Sequence, residues 1–421
     1  MNTVSKTKVG PAFSLLLFAA LAAIVLAAGL AAEALPAEWQ GFRADTIVAR
    51  QAHFADRFFP WDAHWYERAA REGYHWLPGA SFGQQAVAFF PLWPMILRAV
   101  TLTGLGEQAQ RWVVVALAAG MGWASIFAMH RFAARLLAPA PARTAVILYA
   151  FYPGAGFLLK SYPTGLQNLL TILCLSALCD GRLMRAALCS LMATACGPLG
   201  VALGVTVSIT AALRARAPAS MATRVRLLAQ AGALGLLAVG GLLGFMLFQW
   251  AALGSPFAFM AAQWAWHPAA PLAVRIVRAF FMVLGVPDLV LAAARLPGAF
   301  ALWRAGALAD AQQHLQNGLN MAALGVAILA SLAGSLPRFQ FRFGVKLPLP
   351  VLLQGWAVLA LYVWFVGSVI DGWATLRLIY PAIVPFLVLA AGRGLRRPWL
   401  AMSVLLLVLE EFMQAAGYLV I

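Results

Sequence analysis

Polar positions along this chain fall in short clusters that separate long apolar runs. Runs at 11–32, 110–129, 144–160, 163–179, 226–250, 316–336, 348–368, 378–392 and 398–419 read as helices. Most are near 20 residues, and a helix of that length is about 30 Å long, the hydrocarbon thickness of a bilayer. Residues 186–213 are long enough for one span, yet Arg185 precedes them and Arg214, Arg216, Arg224 and Arg226 follow. Both ends therefore belong on the same side, and the Gly197-Pro198 break predicts a hairpin of two half-helices. The stretch 33–109 is a long loop holding a predicted helix at 62–73 and a second apolar segment at 86–103, interrupted by Pro91 and Pro94. Residues 251–314 are mixed and are placed as juxtamembrane helices. No polar linker divides the chain, so residues 1–421 read as one all-α polytopic membrane domain.

Charge then fixes an expected topology. Basic residues cluster at Lys6 and Lys8, at Arg131, Arg135 and Arg143, at Arg182 and Arg185, at Arg338, Arg342 and Lys346, and at Arg393, Arg396 and Arg397. With these in the cytoplasm the N-terminus is inside, helix 11–32 is a retained signal anchor, and the loops 33–109 and 369–377 lie outside. Eight of the fourteen acids sit in that first outer loop. Composition agrees with the class: 63% hydrophobic, 10% charged, mean hydropathy +0.83. The net charge of +16 belongs to topology-setting loops and not to a nucleic-acid surface. Cys174, Cys179, Cys189 and Cys196 lack CxxC spacing and read as buried thiols. No inverted repeat of the transporter kind is found.

Candidate chemistry concentrates at 58–98, where acids, histidines, arginines and tryptophans crowd together. Asp62 heads the helix and shares a face with Tyr66, Ala69 and Gly73, while His64 falls on another face, toward headgroups or water. Two roles are open to Asp62. It can cap its helix, or it can act as a general base toward an acceptor hydroxyl while a phosphate leaves. The second role requires a cation on the same side, for which the topology offers Lys160 and Arg377; a guanidinium fork suits a lipid phosphate. His64 and His267, scattered and without a compact acid cluster, are weak evidence for a metal; no cofactor is implied, and a divalent metal stays open.

The motif Trp61-Asp62-x-x-Trp65-Tyr66, with Ala70-x-x-Gly73-Tyr74 and Ala88-Phe-Phe-Pro-Leu-Trp-Pro94, resembles the PIG-V type of mannosyltransferase. Leu253-Gly-Ser-Pro-Phe-Ala-Phe259 with Ala262-Gln263 and Trp266, and Leu376-Arg377-Leu-Ile-Tyr380-Pro381, are similar to two further blocks of that family, in the same order. The resemblance implies a GT-C multi-helix bundle whose structured first loop carries an extracytoplasmic site in a bacterial inner membrane. It also implies an inverting transfer of a hexose, typically mannose, from a polyprenyl-phosphate sugar to a glycan, lipid or protein acceptor. By correspondence Asp62 is the base and Arg377 contacts lipid phosphate, with Lys160 as a second cation. Trp61, His64, Tyr66, Tyr162, Gln263, Trp266 and Tyr380 then line the donor or acceptor site. The chain departs from the family at Tyr162-Pro163-Thr164-Gly165, where relatives carry an acid, and at Cys196-Gly197-Pro198-Leu199-Gly200, where they carry a basic residue. A lipid or small-molecule transporter and a catalytically inactive relative are the alternative readings.

Overall fold

The computed structural model describes residues 10–34, 54–79, 83–214, 220–263, 271, 273, 286–305, 308–365, 375–392 and 396–415. The described residues are helical, with no strand among them. Among the described residues four helices are long and apolar enough to cross a membrane, and a pair bent by 57° makes a fifth when counted as one span. The chain is an all-α integral membrane protein.

Helix α1 (Ala12–Glu33) matches the first apolar run. In the first loop, α2 (Ala63–Glu72) and α3 (Leu92–Thr101) occupy the two expected positions, and Pro91 sits at the N-cap of α3. The α2–α3 layer is tied down by charge. Arg111 reaches Asp56 at 3.0 Å and Glu67 at 3.9 Å, and its guanidinium lies 4.8 Å from the Phe59 ring. Burial raises the Glu67 carboxyl above its usual value, opposed by Arg111 and Arg71. Arg98 donates to the Ala70 carbonyl at 3.0 Å, joining α3 to α2.

The centre of the molecule is a bundle of α4 (Glu107–Leu136), α5 (Pro139–Ala150), α6 (Thr164–Cys179), α7 (Leu183–Cys196) and α8 (Val201–Leu213). Helix α4 is longer than the predicted 110–129. Helices α4 and α6 meet through glycine: a Cβ added to Gly165 would stand 2.9 Å from the Gly122 amide. Small residues allow such close approach where no hydrophobic drive exists between helices in lipid. The predicted helix 144–160 ends early, at Ala150, because Pro153 cannot continue it. Residues Pro153–Leu158 form a 3-10 turn instead. The hairpin expected at 186–213 is present. Its arms of 14 and 13 residues are each about 20 Å long, too short for a bilayer, and Gly197–Gly200 forms the tip.

The predicted helix 226–250 is two helices, α9 (Met221–Ala238) and α10 (Gly240–Leu253), bent at Val239 before the Gly240-Gly241 pair. Short α11 (Ala258–Gln263) follows. Within the mixed 251–314 stretch, α12 (Val286–Arg304) packs along α13 (Leu308–Ser335) as an antiparallel hairpin. Then come α14 (Pro337–Phe343), α15 (Leu349–Phe365), the short α16 (Thr375–Leu378), α17 (Val384–Ala391) and α18 (Arg396–Ala415). The predicted span 378–392 is thus broken at Ile379–Ile383, beside Pro381. Helix α18 returns against α1, closing the N- and C-terminal parts of the described chain on each other.

Candidate functional site

The site is built on a strained turn. Trp61 has φ of 45° and is the only non-glycine residue with positive φ among those described. A bulky residue there costs free energy and persists only where its surroundings impose it. The surroundings are two chain segments. The Ser161 amide donates to the Phe58 carbonyl at 2.7 Å, and the Tyr162 hydroxyl donates to the Pro60 carbonyl at 2.7 Å. From the helix side, His64 Nδ1 lies 2.5 Å from the Trp61 carbonyl. That oxygen can only accept, so Nδ1 carries the proton and Nε2 is left as a buried acceptor with no partner among the described residues.

The turn decides what Asp62 does. Asp62 occupies the N-cap position of α2, yet its side chain makes no capping hydrogen bond. It accepts from Arg377 Nη2 at 2.9 Å, with both side chains largely buried. The guanidinium face lies 4.8 Å from the Tyr162 ring and 5.6 Å from that of Phe157. Burial works against the Arg377 charge. Asp62, Tyr162, Tyr66 and the hydrogen bond to Asp62 outweigh it and raise the guanidinium above its ordinary value. Tyr66, one turn after Asp62, packs edge-on to Tyr162 at 5.9 Å.

Beyond Arg377 opens a small cleft of about 70 Å³, walled by Tyr66, Tyr162–Thr164, Gln167, Asn168, Cys196–Leu199, Leu378 and Pro381. Usual ligand pockets hold about 300–1,000 Å³, so a sugar requires this cleft to widen. Asp62 stands behind Arg377, outside the cleft wall. The stretch 162–165 and the hairpin tip at 196–200, far apart in sequence, meet here.

Other expected site residues are placed elsewhere. Lys160 is 3% exposed and its ammonium donates to both Glu411 oxygens, at 2.7 and 3.0 Å, and to Gln414. All three of its N–H groups are used, so it is not a free cation facing the cleft. Gln263 donates to the Ala88 carbonyl at 3.1 Å, ties α11 to the 86–88 turn and does not line the cleft. Tyr380 is fully buried, donating to the Tyr149 carbonyl at 2.6 Å within an aromatic cluster with Tyr152 and Phe386. Trp266 lies outside the described residues. His64 is half-buried rather than solvated. No group of three His, Cys, Asp or Glu side chains is positioned to hold a metal among the described residues.

Two groups escape a reading of the sequence. Gln249, fully buried, donates to the Val87 carbonyl at 3.3 Å and accepts from the Phe259 amide at 3.0 Å, fixing the α10–α11 junction. Glu410 and Glu411, both under 5% exposed, stand in the apolar run Leu405-Leu-Leu-Val-Leu-Glu-Glu-Phe412. Paired acids inside a candidate span were the available signal, since such residues are rare there and functional by default.

His64 gives this site a pH dependence. Burial lowers its pKa below 6.5, opposed by its bond to the Trp61 carbonyl and by Asp62. The unfolded chain therefore binds the proton more readily below about pH 6.5, and stability falls as pH drops from there through the folded value. Thermal midpoints in detergent between pH 7.5 and 5 are expected to decline for the wild type. The His64→Asn variant, whose amide can still donate to Trp61, is expected to lose that part of the slope.

Comparison of the chain with protein-family models, with curated proteins and with solved structures finds no match. Fold and site therefore define the class alone: a polytopic α-helical membrane protein with an arginine–carboxylate pair beside a cleft lined by a helical hairpin.

Proposed function

We propose that this protein is a GT-C membrane glycosyltransferase that moves a hexose, mannose by resemblance, from a polyprenyl-phosphate carrier to a hydroxyl acceptor on the outer side of a bacterial inner membrane. The observation that carries this reading is the 2.9 Å pair between Asp62 and Arg377, residues 315 apart in sequence. The resemblance joins the same two residues, and residues 162–164 and 196–199 of its two divergent stretches border the cleft beside Arg377.

In the proposed reaction the carrier phosphate engages the Arg377 fork and takes it from Asp62. The freed carboxylate then faces the acceptor. The acceptor oxygen attacks C1 of the sugar, its proton passes to Asp62, and the C1–O bond to phosphate breaks with inversion. The leaving phosphate retains its negative charge against Arg377. Tyr162 and Phe157 keep the guanidinium plane fixed through this exchange. Lys160 has no part in it, being committed to Glu411.

The test uses purified protein in proteoliposomes with radiolabelled polyprenyl-phosphate mannose and an extract of candidate acceptors. Wild type is expected to remove label from the carrier, and the near-isosteric Asp62→Asn variant to lose nearly all of that turnover with its thermal midpoint retained. Equal turnover by both proteins would refute the base assignment, and a carrier left intact by wild type would refute the donor class.

A further inference from the structure

A second cavity lies on the other side of the segment that holds Arg377. It measures about 200 Å³ and runs between α13, α17 and α18. Its α18 wall is one stripe of the helix, from Trp399 through Met402 and Leu406 to Glu410. The eleven helical steps from Trp399 to Glu410 rise about 16 Å, close to half of the roughly 30 Å hydrocarbon core, the depth of one leaflet. Apart from Ser403, the wall from Trp399 to Leu406 is apolar, and Glu410 closes the stripe.

That end is chemically incomplete. Glu410 is 2% exposed; one carboxylate oxygen accepts from Gln316 Nε2 at 2.7 Å, and the other is buried with no partner among the described residues. The Tyr152 hydroxyl, also on the cavity wall, is buried and likewise lacks a partner among them. The neighbouring cation cannot help, because Lys160 gives its three N–H groups to Glu411 and Gln414. A buried carboxylate carries a large desolvation cost unless a cation meets it. The groove thus offers an apolar channel about one leaflet deep, with open acceptor capacity on a carboxyl that an ammonium group would hold ionised.

We infer that the groove between α13, α17 and α18 is a binding site for a membrane lipid with an ammonium headgroup, its chain along α18 and its ammonium against Glu410 and Tyr152. Such a lipid satisfies both orphaned atoms and fills the apolar slot, which an anionic lipid cannot do without placing like charges together. The inference stands apart from the transferase reading, since it concerns a different cavity and a different ligand charge. Leu376 forms part of its wall, so an occupied slot also buttresses the short helix that carries Arg377.

The experiment reconstitutes full-length protein in vesicles of equimolar phosphatidylethanolamine and phosphatidylglycerol, extracts it gently, and measures the retained lipid by native mass spectrometry. Wild type is expected to retain phosphatidylethanolamine at least tenfold over phosphatidylglycerol. Glu410→Gln, which keeps an acceptor for Gln316 but removes the charge, is expected to erase that preference. Leu406→Trp, which fills the slot and leaves Glu410 intact, is expected to exclude the lipid, and it carries the test should Glu410→Gln fail to fold. Equal retention of both lipids by wild type, or unchanged phosphatidylethanolamine retention by either folded variant, overturns the inference. In those cases the Glu410 carboxyl is satisfied by a proton alone.

Discussion

Arg377→Lys is expected, on the proposed reaction, to lower turnover of the polyprenyl-phosphate donor by about 10²–10³-fold, the usual effect of losing one electrostatic contact to a developing anion. Lysine retains the charge but not the geometry. The guanidinium holds three relationships at once: an N–H to Asp62, and its face on Tyr162 and on Phe157. An ammonium can satisfy only the first, and it cannot present two parallel donors to a phosphate. The loss is expected in kcat more than in KM, because the interaction strengthens as the phosphate leaves. Steady-state kinetics with labelled donor separate the two. Lysine keeps a cation beside Asp62, so the thermal midpoint is expected to change little. Wild-type turnover in Arg377→Lys would mean that any cation serves at this position and that the fork does not grip phosphate.

The largest stability effect is expected at the buried ion pair between Lys160 and Glu411. Lys160→Met leaves the Glu411 carboxylate, about 5% exposed, without its cation. Breaking a buried pair on one side costs about 3–5 kcal/mol. The surroundings leave little room to relax: a Cβ added to Gly156 would collide with the Glu411 carboxylate, so that carboxylate rests directly on backbone. The double variant Lys160→Met with Glu411→Leu removes both charges and is expected to recover most of the loss. Denaturant unfolding in detergent, read as a double-mutant cycle, measures the coupling. A Lys160→Met protein as stable as wild type would show that Glu411 is already protonated or solvated. The same variant probes the site indirectly, because Lys160 anchors the segment whose next two residues clamp Phe58 and Pro60 beneath Asp62.

Several elements were readable before any coordinates. The apolar run at 11–32 became α1 with one-residue accuracy at each end, and 163–179 became α6. The Gly197-Pro198 break marked the hairpin because two basic flanks could not lie on opposite sides of the membrane. Where prediction missed, a local signal had been outweighed by overall hydropathy. Pro153 stopped the helix expected to reach 160, and the Gly240-Gly241 pair accompanies the 57° bend in the helix expected to run straight from 226 to 250. Lys160 illustrates a different limit. Its sequence position allows it to face the same side as Arg377, but its partner is 251 residues away on α18.

Sequence by itself determined the class of this protein, most of its helices and a list of candidate side chains. Those properties are local. Whether a segment is helical and apolar enough for lipid depends on about twenty neighbouring residues, and the basic clusters are read one loop at a time. Tertiary structure alone decided the pairing. It turned Asp62 from helix cap to partner of Arg377, gave Lys160 to Glu411, moved Tyr380 into the core and left Glu410 facing an apolar slot. Each choice depends on which faces of distant helices pack together, and the cost of leaving a buried charge unmatched makes those choices discrete.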